Sequence, residues 1–459
     1  MAWGEMGGDR RWPSLRLSGA LYPLLGLALL LLTPPLRALD LAAAHQRALQ
    51  HDATWLAAQA AAVASREGVV QARSQLRPTI GLSGAWNRVM LDERVAGVER
   101  DRRYYDSSNL TLSLRQSLWH KPRQAQLAQA EAQQLGVDAE LRRAAADLLQ
   151  RLARAWFDRL YAEDLLTEQL AEQSAVAEQL AVAAAAFAAG EGTRTDIDEA
   201  QAQRDLLQAR ELQLRQQVRY AGEQLASMLA LPESALGSLA GLLSQPPAAT
   251  VEGAPLAHWL ERAEAASPEL AVMASRIAAA EQALAMARGQ RHPTLDLVLQ
   301  HSRSSSEYTQ SPDAAYETSQ VGLQFSWPIY QGGRLASGER QAVATLQQLR
   351  EQQTQLQRDL MLRLRKAYQS VNEGAARIAA LDQAVRSAAQ LVISTGRGIA
   401  AGTRTRLDQL QAQQREAAAR RERALAWYQY LLARLQLTLL GGETAEVGIA
   451  AVVGWLEPS

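Results

Sequence analysis

Gln320-Val-Gly-Leu-Gln-Phe-Ser-Trp327 alternates strictly: Val321, Leu323, Phe325 and Trp327 share one face, and Gln320, Gly322, Gln324 and Ser326 the other. A period of two marks a strand with one apolar and one polar face. The pattern occurs three more times. In 294–301, Leu295, Leu297 and Leu299 oppose Thr294, Asp296 and Gln300, with Val298 the exception. In 79–87, Ile80, Leu82, Gly84 and Trp86 oppose Thr79, Gly81, Ser83, Ala85 and Asn87. In 109–118, Leu110, Leu112 and Leu114 oppose Thr111, Ser113 and Arg115. Alternation alone fits an ordinary sheet packed on helices equally well. A length of ~8–10 residues per stretch also suits a tilted strand crossing a membrane. The polar loops 88–108 and 301–318 then read as its outward loops.

The four stretches come as two pairs because the chain is written twice. Pro78-Thr-Ile-Gly-Leu82 recurs as Pro293-Thr-Leu-Asp-Leu297, Ala155-Trp156 as Ala367-Tyr368, and Gly192-Thr-Arg-Thr195 as Gly402-Thr-Arg-Thr405. The first unit covers 39–231 and the second 255–440, with a Pro- and Gly-containing linker at 232–254 and a tail at 441–459. Each unit is laid out as helix, strand, strand, long helix, helix. The Ala-, Gln- and Leu-rich stretches 39–76, 120–189, 195–231, 255–290, 334–397 and 404–439 predict those helices. At ~1.5 Å per residue the two long ones reach ~105 Å and the short ones ~55 Å. Two short helices end to end therefore match one long one. Helices of this length need lateral neighbours throughout, as coiled coils do.

Composition agrees with thin seams rather than a thick core. Of 459 residues, 47% are hydrophobic but only 5% aromatic, so much of the apolar count is methyl groups. Basic and acidic residues balance at 48 each, which gives no electrostatic footprint for a nucleic-acid partner. Zero cysteines exclude disulfides, thiolate metal sites and lipidation of an N-terminal Cys. Arg10, Arg11 and Arg16 precede the apolar run Leu24–Leu32, and Ala38 follows Pro34 and Pro35. That reads as a secretory leader over 1–38, shorter than the ~20 apolar residues a spanning helix needs. No later stretch forms the ~18-residue apolar run of a membrane-spanning helix.

An exported chain with four membrane strands cannot stand alone. Each unpaired backbone group of an open sheet edge costs several kcal/mol in lipid. Two copies would give eight strands and a filled interior; three would give twelve and leave space. Three copies also place about twelve helix widths of ~10 Å in a ring, with a free bore of roughly 25–30 Å.

The pattern strongly resembles the TolC family of outer-membrane channel-tunnels over essentially the whole mature chain. The resemblance is carried together by Arg77-Pro-Thr-Ile-Gly-Leu82, His292-Pro-Thr-Leu-Asp-Leu297, Val321-Gly-Leu-Gln-Phe325, Pro328-Ile-Tyr-Gln-Gly-Gly333 and Gly402-Thr-Arg-Thr-Arg-Leu-Asp408. It implies a mainly α chain with membrane β: a duplicated helix-strand-strand-helix unit whose homotrimer forms a 12-stranded outer-membrane β-barrel above a long periplasmic α-helical barrel. It further implies the exit duct of type I protein secretion or multidrug efflux, with a periplasmic adaptor and an inner-membrane ABC or proton-driven transporter as partners. Gly402-Thr-Arg-Thr405 is more similar to the type I secretion branch.

The resemblance also assigns a periplasmic gate. Arg404 would tie neighbouring hairpins to Asp196, Asp408 would belong to an acidic ring, and Gln411 stands where a second ring acid is expected. Ile399 replaces an expected aromatic residue. The adaptor would touch the hairpin tips at Ala189, Gly190, Glu191, Ala401, Gly402 and Thr403, with Glu191 replacing a usually apolar residue. Between the tips the register is open: Gly192-Thr-Arg-Thr195 favours a spacing of 210, whereas Ala188-Ala-Gly190 and Asp196 favour 212.

No catalytic, metal or cofactor motif stands out. The six histidines (45, 51, 120, 258, 292 and 301) lack ligand spacing, and Asp196 and Asp198, two apart, point to different helix faces. The rival reading is a periplasmic coiled-coil adaptor or scaffold, whose strands would not face lipid.

Overall fold

The computed structural model describes residues 39–92, 94–95, 97–99, 102–243, 247–250, 253–306 and 314–457. The leader expected at 1–38 lies outside the described residues. The first half runs α1 (Leu41–His51), α2 (Ala53–Ser74), β1 (Thr79–Leu91), a small β2–β3 hairpin (Arg94–Val95, Val98–Glu99), β4 (Arg103–Trp119), α3 (Lys121–Ala188) and α4 (Arg194–Leu229). The second runs α5 (Leu256–Ala266), α6 (Pro268–Gly289), β5 (Thr294–Ser306), β6 (Ala314–Ser326), α7 (Arg334–Ala400), α8 (Arg406–Leu440) and α9 (Ala445–Val453).

The helices expected as single pieces over 39–76 and 255–290 are each two. Asp52 sits in extended backbone, and its side chain accepts the Trp55 amide at 2.8 Å, capping α2. Ser267, 215 positions on, is also extended and caps α6 through the Leu270 amide, with Pro268 as the first helical residue. A capping side chain offers the backbone an alternative to the helical bond, and proline disfavours helix in the residue before it. Residues 256–289 contain a window of mean hydropathy 1.2. That apolarity is alanine-rich, interrupted at Ser267, and lies along α3 and α7.

The strands outrun their alternating cores. The pairing of β1 with β4 continues through Arg88↔Asp106, Val89↔Tyr105, Met90↔Tyr104 and Leu91↔Arg103. There the two-residue period lapses, because a strand wetted on both faces needs no apolar side while its ladder bonds persist. Much of the expected loops 88–108 and 301–318 is therefore sheet. β6 in turn stops at Ser326, one residue short, ahead of Pro328.

α3 and α7 span 68 and 67 residues, ~100 Å each. α2 and α6 lie beside the strand-proximal part of α3, where Arg66 meets Asp138 and a Cβ on Gly136 would strike Ser275. α4 continues along the distal part, where Gln169 donates to the Leu207 carbonyl at 3.1 Å. α7 pairs with α6 and α8 in the same way. The largest fully buried side chains gather near the middle. Leu148, Leu149, Leu152, Trp156 and Phe157 of α3 meet Leu225 and Leu229, Leu360 and Leu364, and Tyr430 and Leu431. The tail adds α9 to this girdle through Ile449 and Val452, and its end bridges the linker at Leu242↔Leu456.

Candidate functional site

Two regions matter: the sheet at one end and the hairpin tips at the other. The sheet order is β1-β4-β5-β6, antiparallel throughout, so β1 and β6 are its edges. Its register brings the alternating faces together. Ile80, Leu114, Leu299 and Val321 lie in one row across all four strands. Leu82 pairs with Leu112, Gly84 with Leu110, Leu297 with Leu323, and Leu295 with Phe325. Trp86 extends the face on β1. Ile80, Leu82, Trp86, Leu110, Leu112, Val321, Leu323 and Phe325 are exposed, and Leu114, Leu295, Leu297 and Leu299 half-buried. Among the described residues no strand makes more than incidental contact with a helix. The apolar face is not the inner side of a packed layer.

This apolar band is slanted. The row of Leu82 and Leu112 continues into His301 and Ser319, and the row of Gly84 and Leu110 into Arg303 and Glu317. His301 pairs with Glu317 at 3.3 Å. The upper limit of the band falls from Trp86 on β1 to Val321 on β6, a drop of about two residues per strand. With ~3.3 Å per residue and ~4.8 Å between strands, a level band demands strands tilted on the order of 50°. At the lower limit Trp119, Trp327 and Tyr330 are exposed, with the Lys121 ammonium 4.9 Å from the Trp119 ring. Aromatic and cationic groups at this level suit a membrane–water boundary.

The opposite face is polar and internally bonded. Arg115 donates to Gln324 Oε1 at 2.7 Å and pairs with Asp296 at 3.3 Å. Ser117 donates to buried Asp296 at 2.9 Å.

At the other end α3 and α7 finish at Ala188 and Ala400, followed by Gly190 and Gly402 with φ of 81° and 74°. Thr193 and Thr405 cap α4 and α8. Every feature repeats at a spacing of 212, which settles the register and pairs Gly192 with Arg404. Each cap is a reciprocal box. Asp196 accepts from the Thr193 amide at 2.9 Å and hydroxyl at 2.7 Å; Asp408 accepts from the Thr405 amide at 2.9 Å and hydroxyl at 3.0 Å. Hydrogen bonds from the Thr193 hydroxyl and amide hold the Asp196 carboxyl below its ordinary pKa, and the Thr405 amide and hydroxyl do the same for Asp408. Both carboxylates therefore stay charged well into mild acid.

Within one chain Arg404 faces Asp408, Nη1 to Oδ1 3.9 Å, and no ion pair links it to Asp196 among the described residues. Asp196, Glu191 and Gln411 line one crevice of about 740 Å³ between the two hairpins, with Glu178, Glu199 and Thr405. Ile399 is half-buried near the end of α7. Ala189, Gly190, Glu191, Ala401, Gly402 and Thr403 are all exposed at the tips.

Above the crevice the hairpins are zipped by a ladder of polar contacts. Tyr428 donates to Asp164 at 2.7 Å, Arg421 lies 3.7 Å from Glu168, and Gln414 donates to Glu172 at 3.3 Å. Burial pushes the Glu168 carboxyl up to about 7 against the pull of Arg421 and Arg420, and raises Asp164 and Tyr428 as well. Glu168 Oε2 is buried without a hydrogen bond. The partners lie more than 240 residues apart, so no local pattern announces them. The readable signal is the acid at every fourth position, 164, 168 and 172, which stacks carboxylates on one helix face.

Known proteins share this architecture. The profile of the outer membrane efflux protein family matches residues 44–231 and 259–443. The proteases secretion protein PrtF of Dickeya chrysanthemi is 30% identical over 425 residues, 92% of each chain. The outer membrane protein TolC of Escherichia coli K12 is 28% identical, covering 85% of this chain and 79% of TolC. The crystal structure of the Campylobacter jejuni CmeC outer membrane channel superposes with a TM-score of 0.75 at 13% identity, over 91% of this chain and 90% of that one. The chain is an outer-membrane protein and belongs to the outer membrane efflux protein family.

Proposed function

We propose that three copies of this chain close a twelve-stranded barrel in the outer membrane and a helical barrel beneath it, forming the passive exit duct of a type I secretion machine. The slanted apolar band carries this reading. A free sheet with β1 and β6 unpaired would leave two rows of backbone groups in hydrocarbon at several kcal/mol each. Because the order is antiparallel and both edge strands have 13 residues, β6 of one copy can continue into β1 of the next. The tilt that levels the band, on the order of 50°, is close to the roughly 35–45° of closed barrels. Residues 1–38 are a leader, 39–231 and 255–440 are repeats, 232–254 is the linker between them and 441–459 a C-terminal tail.

The duct performs no chemistry of its own. Energy comes from an inner-membrane transporter, and a periplasmic adaptor engages the tips at 189–191 and 401–403. PrtF is named for the secretion of proteases, which favours polypeptide cargo and an ATP-driven transporter over a proton-driven pump. The mouth is latched by Arg404 reaching Asp196 of a neighbouring hairpin, since an Arg can fork onto a carboxylate without losing its charge. Each exposed pair contributes only ~0–1 kcal/mol, so the lock is releasable. Gln411, in place of a second acid, leaves Asp408 as the ring charge.

Purified protein should run as a trimer in detergent and conduct in planar bilayers; a monomer without conductance refutes the duct. Arg404→Ser and Asp196→Ala should each raise single-channel conductance, and no change in either removes the latch. Asp408→Asn should weaken block by multivalent cations from the periplasmic side.

A further inference from the structure

The two hairpin turns correspond residue for residue at a spacing of 212, and at one pair of positions they make opposite choices. The first has Ala186 in the helix and Gly192 in the turn; the second has Gly398 in the helix and Arg404 in the turn. A Cβ built on Gly192 would lie 3.0 Å from the Phe187 amide nitrogen and 3.2 Å from Ala186 Cβ. A Cβ built on Gly398 would lie 2.6 Å from Arg404 Cγ and 3.2 Å from Arg404 Cβ. In the first turn a Cβ at 192 would be tight against backbone as well as Ala186 Cβ, whereas in the second the obstruction at 398 is the Arg404 side chain itself. The backbone does not call for glycine at 398, which is absent from the positive-φ residues and lies inside α7. Alanine is the better helix former there. What the missing Cβ does is admit the stem of Arg404.

We propose that Gly398 is a positioning residue for Arg404: its bare Cα is a socket that seats the root of the arginine and so fixes where the guanidinium points. This rests on the reading of Arg404 as the latch of the mouth. The clash is with Cβ and Cγ, the least mobile atoms of the side chain, so a methyl group at 398 cannot be avoided by swinging the far end. It must turn the whole arginine off the end of α7 or open the turn. The turn resists opening. The Gly398 carbonyl accepts from the Thr403 amide at 2.8 Å and hydroxyl at 3.1 Å, and Thr405 is held by its capping box. A merely solvated arginine, with its side chain 62% exposed, has no use for a socket. An arginine that must meet a carboxylate on another hairpin does, because its geometry is then fixed before the partner arrives.

The test uses full-length trimers in planar bilayers, comparing Gly398→Ala, Arg404→Ser, their combination, and Gly396→Ala. Gly396 lies in the same helix with nothing within 4 Å of its built Cβ, so it reports helix stiffening alone. Gly398→Ala should raise the open-to-closed ratio about two- to five-fold, the worth of an exposed ion pair. The double variant should match Arg404→Ser, and Gly396→Ala should match the parent. If Arg404→Ser opens the channel and Gly398→Ala does not, the socket is wrong and the latch survives. If neither opens it, the latch falls and takes the socket with it. Additive effects, or equal effects of the two alanines, mean that Gly398 acts on the helix rather than through Arg404, and overturn the proposal. Should Gly398→Ala alone fail to assemble, Gly398→Ala with Arg404→Gly restores the pairing of the first turn. It must then assemble and conduct like Arg404→Gly, and a failure of either overturns the proposal.

Discussion

Leu112 and Thr111 are neighbours on β4 and face opposite ways. Leu112 pairs with Leu82 in the apolar face; Thr111 pairs with Ser83 and Ser302 in the polar one. Arginine at 112 would place a cation in hydrocarbon at ~2–4 kcal/mol per copy, and a trimer carries it three times, on the order of 6–12 kcal/mol. Arginine at 111 stays in water and costs about 0.5 kcal/mol or less. The slant adds a sharper comparison. Leu82 and Ser319 belong to the same row of the sheet, yet with strands tilted by ~50° only Leu82 lies at lipid depth. Leu82→Arg should therefore match Leu112→Arg, and Ser319→Arg should cost at most ~1 kcal/mol. The assay is the urea midpoint for trimer loss in detergent, with folding yield into liposomes as a second readout. Equal losses at 111 and 112 refute the assignment of faces. Equal losses at 82 and 319 refute the tilt.

Glu168 should make the hairpin seam pH-dependent. Its pKa is raised to about 7 from an ordinary 4.5, chiefly by burial, so the packed state binds the proton more tightly than the separated one. The stabilisation is complete below pH 4.5 and is lost as pH rises through about 7, by on the order of 2 kcal/mol. Hydrogen exchange of seam amides should quicken between pH 5.5 and 8 in the parent beyond the intrinsic rise, and Glu168→Gln should abolish that excess. Asp52 is buried, caps α2 and takes a two-pronged hydrogen bond from Arg151 at 3.1 and 3.2 Å. Asp52→Ala should lower stability to urea by about 3 kcal/mol, with Asp52→Asn recovering the ~1 kcal/mol of the cap.

What could be read from the chain follows from where the physics is local. The faces of β1, β4, β5 and β6 are legible because a sheet with one apolar and one polar face imposes a period of two on consecutive residues. Above Trp86 and Val321 that constraint ends, and the continuing ladder leaves no compositional trace. The break at Ser267 is written in the Ser-Pro pair 267–268, which disfavours helix at the serine, whereas an isolated Asp52 in an alanine-rich stretch is ambiguous until its amide partner is known. The tips show the reverse problem. Gly-Thr-Arg-Thr recurs as letters at a spacing of 210, while the capping boxes and left-handed glycines recur at 212. Similarity of residues left the register open between 210 and 212, and identity of hydrogen bonds decided it. The seam from Asp164 to Gln414 joins residues far apart in sequence, and only the acid at every fourth position hinted at it.

The distribution of buried groups says where a rod of this length would give. Large side chains converge near Trp156, Leu364 and Tyr430, while along α3 beyond Ala162 the buried residues are Gln169 and Val176. Below the middle girdle the hairpins are held to each other mainly by the three polar contacts of the seam, and then part around the crevice. Segments with few buried apolar contacts open at low free energy. Yet the tips themselves do not unravel easily, since each is closed by a left-handed glycine and a reciprocal threonine–aspartate box. The weak link is therefore between hairpins rather than within them. On the proposed latch, separation at the seam would let each hairpin swing as a rigid unit, carrying Arg404 away from Asp196 without melting the turn that aims it. Strengthening the seam with apolar residues at 168 and 421 should then lock the mouth while leaving the barrel end unchanged. A variant whose barrel loosened while its mouth still opened would place the hinge elsewhere.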